Sequence, residues 1–212
     1  MITVMKFGGT SVGSPEALRR VAGIIAGTEG DRIVVASAMS GVTNFLVSLV
    51  ENPSQDMDEA KEKFVNKHLS AASQLFEGEA MDAFMKEFEA RMRVFERALL
   101  ADRDDPFYRD GVLSQGERFS TLLLAHVLKG MGIDAKALTS EDAGVIAEGH
   151  PLNGSANLMK SEAGMTMNVR PLLSMGVLPV ITGGWRRIFS PRSSPSPRAR
   201  SLKRSGVSSM SP

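Results

Sequence analysis

Short apolar runs alternate with helical patterns over the first third of this 212-residue chain. Residues 2–7 and 33–36 are typical of buried strands. Residues 15–27 carry apolar side chains at helical spacing, and one face of that predicted helix consists of Leu18, Val21, Ala22 and Ile25. A further helix is expected from Phe45. This strand–helix–strand–helix order predicts an α/β fold, with a mostly parallel sheet and helices on its faces.

A helical segment interrupts that alternation at about residues 55–101. Its second half carries a stripe of methionine, phenylalanine and leucine at helical spacing, formed by Met81, Phe84, Met85, Phe88, Met92, Phe95 and Leu99. The first half, around Phe64, is also helical in character, and Gly78 is predicted to separate two antiparallel helices. We interpret the stripe as core rather than as a partner-binding groove, since methionine commonly fills gaps in cores.

The pattern resumes after the helical segment. Residues 122–131 predict a buried helix, 133–138 a strand, 169–175 a short helix and 177–182 a second buried strand. Residues 143–165 lack a clear period and are expected to be irregular.

Residues 185–212 differ in composition from everything before them. They hold four prolines, nine serines and seven basic residues, with no aspartate or glutamate. The first 184 residues carry 18 basic and 24 acidic side chains, a net charge of −6, so the overall charge of +1 hides a split. Residues 185–212 have too little apolar surface to offset the entropy lost on ordering, and we therefore expect them to form a disordered basic tail.

Composition excludes several classes of protein and site. The chain has no cysteine, which rules out disulfides and thiolate metal sites, and its three histidines are far apart in sequence. We therefore name no metal-binding residue. No apolar run reaches the roughly 18 residues of a membrane span, and the first strand begins too early for a signal peptide. A cytoplasmic protein with no membrane partner is expected.

Lys6 stands where the first strand gives way to a helix. A glycine-rich turn follows it, and Ser14 then offers an N-cap for that helix. Glycine-rich turns and helix N-termini favour the binding of phosphate, and the lysine adds a positive charge. The spacing fits neither the Walker loop nor the dinucleotide fingerprint. The residues alone thus leave two interpretations open, a phosphate site or a tight turn beside an ordinary surface lysine.

Three segments together resemble the aspartate kinases of the amino acid kinase superfamily. They are Lys-Phe-Gly-Gly-Thr-Ser-Val at 6–12, Ala-Ser-Ala-Met-Ser-Gly-Val-Thr-Asn at 36–44 and Leu-Ser-Gln-Gly-Glu-Arg-Phe-Ser at 113–120. The resemblance covers about residues 2–183. It implies a three-layer α/β/α sandwich whose N-terminal part is residues 1–184, with a helical insertion at about 55–101.

The resemblance also implies a reaction. Aspartate kinases transfer the γ-phosphoryl group of ATP to the β-carboxylate of L-aspartate, giving 4-phospho-L-aspartate, the first step of lysine, threonine and methionine biosynthesis. ATP would bind with Mg²⁺ carried mainly on its phosphates. The partners implied are L-aspartate and ATP, and a homo-oligomer for the full-length family.

Site residues carry over from the resemblance position by position. Lys6 is the implied catalytic cation, Lys6, Phe7, Gly8 and Gly9 the nucleotide-binding residues, and Ser40, Thr43 and Glu117 the substrate-binding residues. Each has a plainer alternative. Thr43 or Asn44 could simply cap a helix, and the Ser114-x-x-Glu117 spacing fits a capping box.

The chain departs from the family pattern after Gly183. The Gly-Arg-Gly-Gly-Ser-Asp segment of aspartate kinases, with its substrate-gripping arginine and catalytic aspartate, does not occur in these 212 residues. We therefore expect a truncated kinase domain that is catalytically incomplete and incompletely packed on one side of its sheet. The alternatives are a noncatalytic fragment or partner subunit, or another amino acid kinase acting on acetylglutamate, glutamate or a nucleoside monophosphate. Nucleic-acid binding by the basic tail is not favoured, because the tail has few aromatic residues.

Overall fold

The computed structural model describes residues 1–52, 54, 56–150 and 153–184. The strands are β1 (Ile2–Phe7), β2 (Asp31–Ala36), β3 (Ala135–Leu138), β4 (Ala147–His150), β5 (Asn153–Ala156) and β6 (Leu178–Thr182). The helices are α1 (Pro15–Ala26), α2 (Val42–Glu51), α3 (Met57–Leu75), α4 (Gly78–Leu99), α5 (Tyr108–Leu113), α6 (Gln115–Gly130), α7 (Leu158–Asn168) and α8 (Arg170–Ser174). The predicted disordered tail lies outside the described residues.

In the described part of the chain, the main sheet has four parallel strands in the order β1-β2-β6-β3. Phe7 pairs with Ala36, and Ala36 pairs with Thr182, so the last residues of β1, β2 and β6 lie side by side. Leu138, the last residue of β3, pairs with Ile181. The parallel sheet predicted from the strand–helix alternation is confirmed, and all four strands end at one edge.

Two hydrophobic cores lie on opposite faces of this sheet. Neighbouring residues of β2 point to different cores, with Val34 in the larger and Ile33 in the smaller. The larger core includes residues of α1, α2, α3, α4 and α6. The smaller core is covered by side chains of α7 and α8. The predicted three-layer α/β/α arrangement is therefore confirmed.

The two faces are packed unequally. Among the described residues, the buried members of the smaller core are Ile33, Leu138, Ala143, Val169 and Ile181. On the edge strand β1, Ile2 and Val4 remain 50% and 64% exposed. The expected incomplete packing on one side of the sheet stays a prediction, because residues 185–212 lie outside the described part of the chain.

The helical insertion forms α3 and α4, and its apolar stripe is core as interpreted. Phe84, Phe88 and Phe95 are buried together with Phe64 of α3. Gly78 is not in the linker but is the first residue of α4, with φ of +53°. The break between the helices falls at Phe76 and Glu77, both in extended conformation.

The expectation that residues 143–165 are irregular was wrong. They contain the antiparallel hairpin of β4 and β5 and most of α7. The hairpin is short and glycine-containing, and Ser161 is the buried residue of α7, so neither element has the apolar periodicity that sequence analysis detects. In the part of the chain that the structure describes, no helix combines the length and apolar character needed to cross a membrane.

Candidate functional site

The carboxyl ends of the parallel strands carry two turns that touch each other through backbone atoms. A Cβ atom added to Gly9, after β1, would lie 2.9 Å from the carbonyl oxygen of Ala38, after β2. One added to Gly13 would lie 2.9 Å from the Cβ of Ser40. Both distances are too short for any side chain. Glycine at these two positions therefore lets the β1 and β2 turns pack directly against each other.

Hydrogen bonds fix the β2 turn to its neighbours on both sides. The Ser37 N–H donates to the carbonyl of Phe7 at 3.0 Å, which extends the ladder between β1 and β2 by one residue. The Ser120 hydroxyl, on α6, donates to the carbonyl of Ser37 at 2.6 Å. Gly116 permits this approach of α6, because a Cβ there would lie 2.9 Å from both Ala38 Cβ and Val42 Cγ1.

Glu117, in the first turn of α6, points to the end of β6. Its carboxylate accepts a hydrogen bond from the Gly184 N–H at 2.5 Å. The capping-box interpretation of Glu117 was wrong. Ser114 sits at the N-cap position in helical conformation without a side-chain cap bond, and its hydroxyl donates back to the Gly111 carbonyl at 3.1 Å. The carboxylate is therefore not engaged in capping its own helix.

Opposing effects act on the pKa of Glu117. Burial raises the pKa of this carboxyl above its ordinary value. The Gly184 N–H, the positive charge of Lys6 and the Gly183 N–H act in the opposite direction. Lys6, an exposed residue near the end of β1, therefore contributes to the electrostatic environment of Glu117 across the strand ends. A carboxyl whose pKa is shifted by burial and by a charged group is a candidate for a functional site.

The N-terminus of α2 opens onto the same edge without a side-chain cap. Gly41 occupies the N-cap position with φ of +79° and no side chain, and no acidic residue lies in the first turn. The alternative in which Thr43 or Asn44 caps this helix was therefore wrong. Ser40 and Thr43 are exposed there.

The N-terminus of α1 is different, because a side chain of the protein already caps one of its free backbone N–H groups. Ser14 caps it as predicted, accepting a hydrogen bond from the Ala17 N–H at 3.2 Å, and Glu16 adds a negative charge to the first turn. A phosphate would meet a favourable dipole at either helix, but it would meet a competing carboxylate only at α1. The uncapped end of α2 is thus the better anion-binding helix terminus of the two.

Sequence reasoning missed the residues after β6 that complete this edge. Gly183 and Gly184 turn over the Glu117 carboxylate, and Gly183 also donates to the Ala36 carbonyl at 3.2 Å. The Thr182 hydroxyl accepts from the Ser140 N–H at 2.9 Å and holds the end of β3 against β6. The sequence feature that could have identified these residues is a Gly-Gly pair directly after a buried strand.

The predicted site residues therefore occupy one edge of the sheet. Lys6, Phe7, Gly8 and Gly9 lie at the end of β1, Ser40 and Thr43 lie between β2 and α2, and Glu117 closes the edge from α6. Throughout the described residues, no group of three or more histidine and acidic side chains is arranged to hold a metal ion. Of the described residues, the site brings together the Lys6 ammonium, the Glu117 carboxylate and many backbone groups.

Comparison with known proteins gives a consistent picture. The amino acid kinase family matches residues 1–189. Bifunctional aspartokinase/homoserine dehydrogenase 2 of Zea mays is 29% identical over 154 residues, which cover 69% of this chain and 17% of that protein. Lysine-sensitive aspartokinase 3 of Escherichia coli is 32% identical over 138 residues, covering 64% of this chain and 30% of that protein.

The fold comparison agrees with the sequence comparison. The solved structure of E. coli aspartokinase III in complex with aspartate and ADP matches 86% of this chain with a TM-score of 0.75 and 25% identity, and 40% of that chain is covered. The present chain thus spans well under half the length of these relatives. The predicted resemblance to the N-terminal part of an aspartate kinase is confirmed.

Proposed function

The chain belongs to the amino acid kinase family, and from that premise we propose that its strand-end site binds L-aspartate and ATP for aspartate kinase chemistry. In that reaction the γ-phosphoryl group of ATP passes to the β-carboxylate of aspartate. The observation that carries the proposal is the Glu117 carboxylate, which is held by the Gly184 N–H and feels the positive charge of Lys6, rather than being used as a helix cap.

Glu117 would bind the α-ammonium group of aspartate. Its carboxylate is partly buried, and burial disfavours its ionised form, so a ligand ammonium would relieve an existing electrostatic cost. Ser40 and Thr43 are exposed between β2 and α2 and would contact the rest of the amino acid. An N-acetylated substrate has no ammonium group to offer. This argues for a free amino acid and against acetylglutamate as the substrate.

Lys6 and the turn Phe7-Gly8-Gly9 would hold the ATP phosphates. A lysine ammonium neutralises phosphoryl charge, and the uncapped N-terminus of α2 adds oriented N–H groups at the same edge. Phosphoryl transfer depends mainly on positioning and charge stabilisation, so no covalent intermediate with the enzyme is required. Mg²⁺ would arrive with ATP and remain largely on its phosphates.

Turnover by this chain alone is expected to be small. The Gly-Arg-Gly-Gly-Ser-Asp segment expected to contribute a catalytic aspartate is not among these 212 residues. We therefore propose substrate binding as the property to measure, with the cytoplasm as the compartment and a homo-oligomer as the assembly of the longer family members. The competing proposal, a noncatalytic fragment, predicts no binding of either substrate.

Calorimetric titration with L-aspartate, N-acetyl-L-glutamate and ATP–Mg²⁺ tests the proposal. Glu117→Gln keeps the side-chain shape but removes the charge, and it should weaken aspartate binding about tenfold or more while leaving ATP binding largely intact. Glu16→Gln, an exposed acid in the first turn of α1, is the matched control and should bind aspartate normally.

Two results would contradict the proposal. If Glu117→Gln lost about 1 kcal/mol of stability with unchanged aspartate affinity, Glu117 would be a structural residue. If the chain bound N-acetyl-L-glutamate in preference to aspartate, the substrate assignment would be wrong.

A further inference from the structure

A closed chain of polar contacts joins the ends of β3 and β6 to the first turn of α6. It begins at Glu117, whose carboxylate accepts a hydrogen bond from the Gly184 N–H at 2.5 Å. The Thr182 hydroxyl donates to the carbonyl of the same Gly184 at 3.3 Å and accepts from the Ser140 N–H at 2.9 Å. The turn that carries Ser140 then returns to α6.

The turn after β3 holds the Ser140 N–H in place. Thr139 and Asp142 bond reciprocally, because the Thr139 N–H donates to Asp142 Oδ2 at 3.3 Å and the Asp142 N–H donates to Thr139 Oγ1 at 3.0 Å. Glu141, in the same turn, forms an ion pair with Arg118 of α6 at 3.4 Å. The chain of contacts thus closes on the residue next to the one from which it started.

Thr182 connects this held turn to the mobile-backbone residue that contacts the carboxylate. Its hydroxyl has a single proton, which goes to the Gly184 carbonyl, and the side chain is buried, with 6% of the residue exposed. Gly184 is exposed and has no side chain to restrict its backbone. Thr182 holds its carbonyl and Glu117 holds its N–H, so the direction of that N–H depends on Thr182.

We propose that Thr182 is a positioning residue, which keeps the turn of Gly183 and Gly184 in the conformation that presents its N–H groups to the Glu117 carboxylate. The inference rests on the proposed function, because it gives Thr182 an effect on aspartate binding through Glu117. The ionised carboxylate is the form that pairs with an ammonium group, and hydrogen bonds from N–H groups stabilise that form. A turn that moved away would leave a partly buried carboxyl less ionised.

Three variants of the full chain test this role. Thr182→Val keeps nearly the same shape but removes the hydroxyl, and Thr182→Ser restores the hydroxyl. Thr121→Val is the matched control, because Thr121 is also buried and its hydroxyl bonds to carbonyls of its own helix, those of Glu117 at 2.9 Å and Arg118 at 3.1 Å. A general cost of removing a buried hydroxyl should therefore appear in both valine variants.

The first readout needs no ligand. Carbon-13 NMR of glutamate carboxyl carbons follows the ionisation of Glu117, whose signal is identified by its loss in Glu117→Gln. The Gly184 N–H and the charge of Lys6 both lower the pKa of Glu117 against the effect of burial, and Lys6 is unchanged in every variant. Thr182→Val should therefore move the Glu117 titration midpoint to higher pH, whereas Thr182→Ser and Thr121→Val should titrate as the wild type does.

The second readout is calorimetric titration with L-aspartate and ATP–Mg²⁺ at pH 7. Thr182→Val should weaken aspartate binding about fivefold, as expected when one hydrogen bond is lost, and change ATP–Mg²⁺ binding less than about twofold. Thr182→Ser and Thr121→Val should bind aspartate with wild-type affinity.

The outcomes separate this inference from the proposed function. An unchanged Glu117 midpoint in Thr182→Val, an equal move in Thr121→Val, or equal aspartate affinity in Thr182→Val and the wild type would overturn the inference and leave Thr182 as a structural link between β3 and β6. If the wild type bound no aspartate but the midpoint still moved in Thr182→Val, the proposed function would fail and the positioning role would stand.

A further pair of variants covers a failure of Thr182→Val to fold, as judged by circular dichroism. Thr182→Ala and Thr182→Ser both lack the γ-methyl group and differ by the hydroxyl, so their Glu117 midpoints give the same comparison. If the chain folded only with a hydroxyl at position 182, that hydroxyl would be structural and the inference would be overturned.

Discussion

The aromatic cluster of the helical insertion and the glycine turns at the strand ends are built in opposite ways. In the cluster, Phe64, Phe84, Phe95 and Phe119 are buried, with ring centroids 4.3 Å apart for Phe64 and Phe95 and 4.9 Å for Phe64 and Phe119. At the strand ends, backbone atoms meet where Gly9 and Gly13 leave no room for side chains.

Because of this difference, we expect the aromatic cluster to contribute mainly to stability and the strand ends mainly to ligand binding. Large apolar side chains remove much area from water, so the aromatic cluster should account for a large share of the folding free energy. The strand ends instead carry polar side chains at the surface, because Lys6, Ser40 and Thr43 are exposed there and Glu117 is only partly buried. Substitutions in the two regions should therefore change different measured quantities, and four predictions follow this contrast from the largest expected effect to the smallest.

Phe95→Ala should give the largest loss of stability. The side chain is fully buried against Phe64, so its removal should lower the free energy of unfolding by about 3–5 kcal/mol. Urea unfolding followed by circular dichroism measures this. Leu100→Ala, at a position 86% exposed just after the same helix, is the control and should change stability by less than about 0.5 kcal/mol. A similar loss in both variants would contradict the assignment of the core.

Acid should weaken the aromatic cluster through His68. Burial lowers the pKa of this histidine to about 4, because no water solvates its charged form. Its Nδ1–H donates to the Phe64 carbonyl at 2.8 Å, and its ring lies against Phe119. A pKa below the unfolded value of 6.5 gives stability that is complete above pH 6.5 and is lost as the pH falls through about 4.

The size of this pH effect is roughly 3 kcal/mol at most. His68→Phe should flatten the pH dependence between 6.5 and 4 in urea unfolding series. Replacing the exposed Lys67 by methionine should keep most of the slope, since desolvation is the larger cause of the pKa shift. An unchanged slope in His68→Phe would show that other groups govern the acid response.

Lys6→Met should weaken ATP–Mg²⁺ binding and leave stability nearly unchanged, whereas Phe95→Ala should mainly lower stability. The side chain is exposed, so stability should change by less than about 0.5 kcal/mol. Binding of ATP–Mg²⁺ should weaken by about 1.5–3 kcal/mol, the usual contribution of a hydrogen bond to a charged group. Calorimetry and urea unfolding of the same preparation give both numbers. Arg20→Met, an exposed cation on α1, is the control, and equal losses in the two variants would remove Lys6 from the phosphate site.

Gly116→Ala probes the point where the two regions meet. The added methyl group would lie 2.9 Å from atoms of Ala38 and Val42, so it should separate α6 from the β2 turn and cost about 1–3 kcal/mol. Gly23→Ala in α1 has open space around the new methyl group, and it should instead gain about 0.5–1 kcal/mol. If both variants gained stability, the close approach of α6 would not be needed for folding.

The sequence alone determined the elements with strong local signals. The period of Leu18, Val21, Ala22 and Ile25 identified α1, Ser14 identified its cap, and the phenylalanine spacing identified α4, because helical periodicity is written in neighbouring residues. The hairpin of β4 and β5 carries no comparable period, and sequence analysis therefore missed it.

The tertiary structure alone decided where the Glu117 carboxylate points. Its spacing from Ser114 is equally consistent with a helix cap, and only the approach of Gly184 from 67 positions away directs the carboxylate to the strand ends. Local patterns record which element a residue belongs to, whereas a site depends on contacts between distant segments, which sequence spacing does not encode.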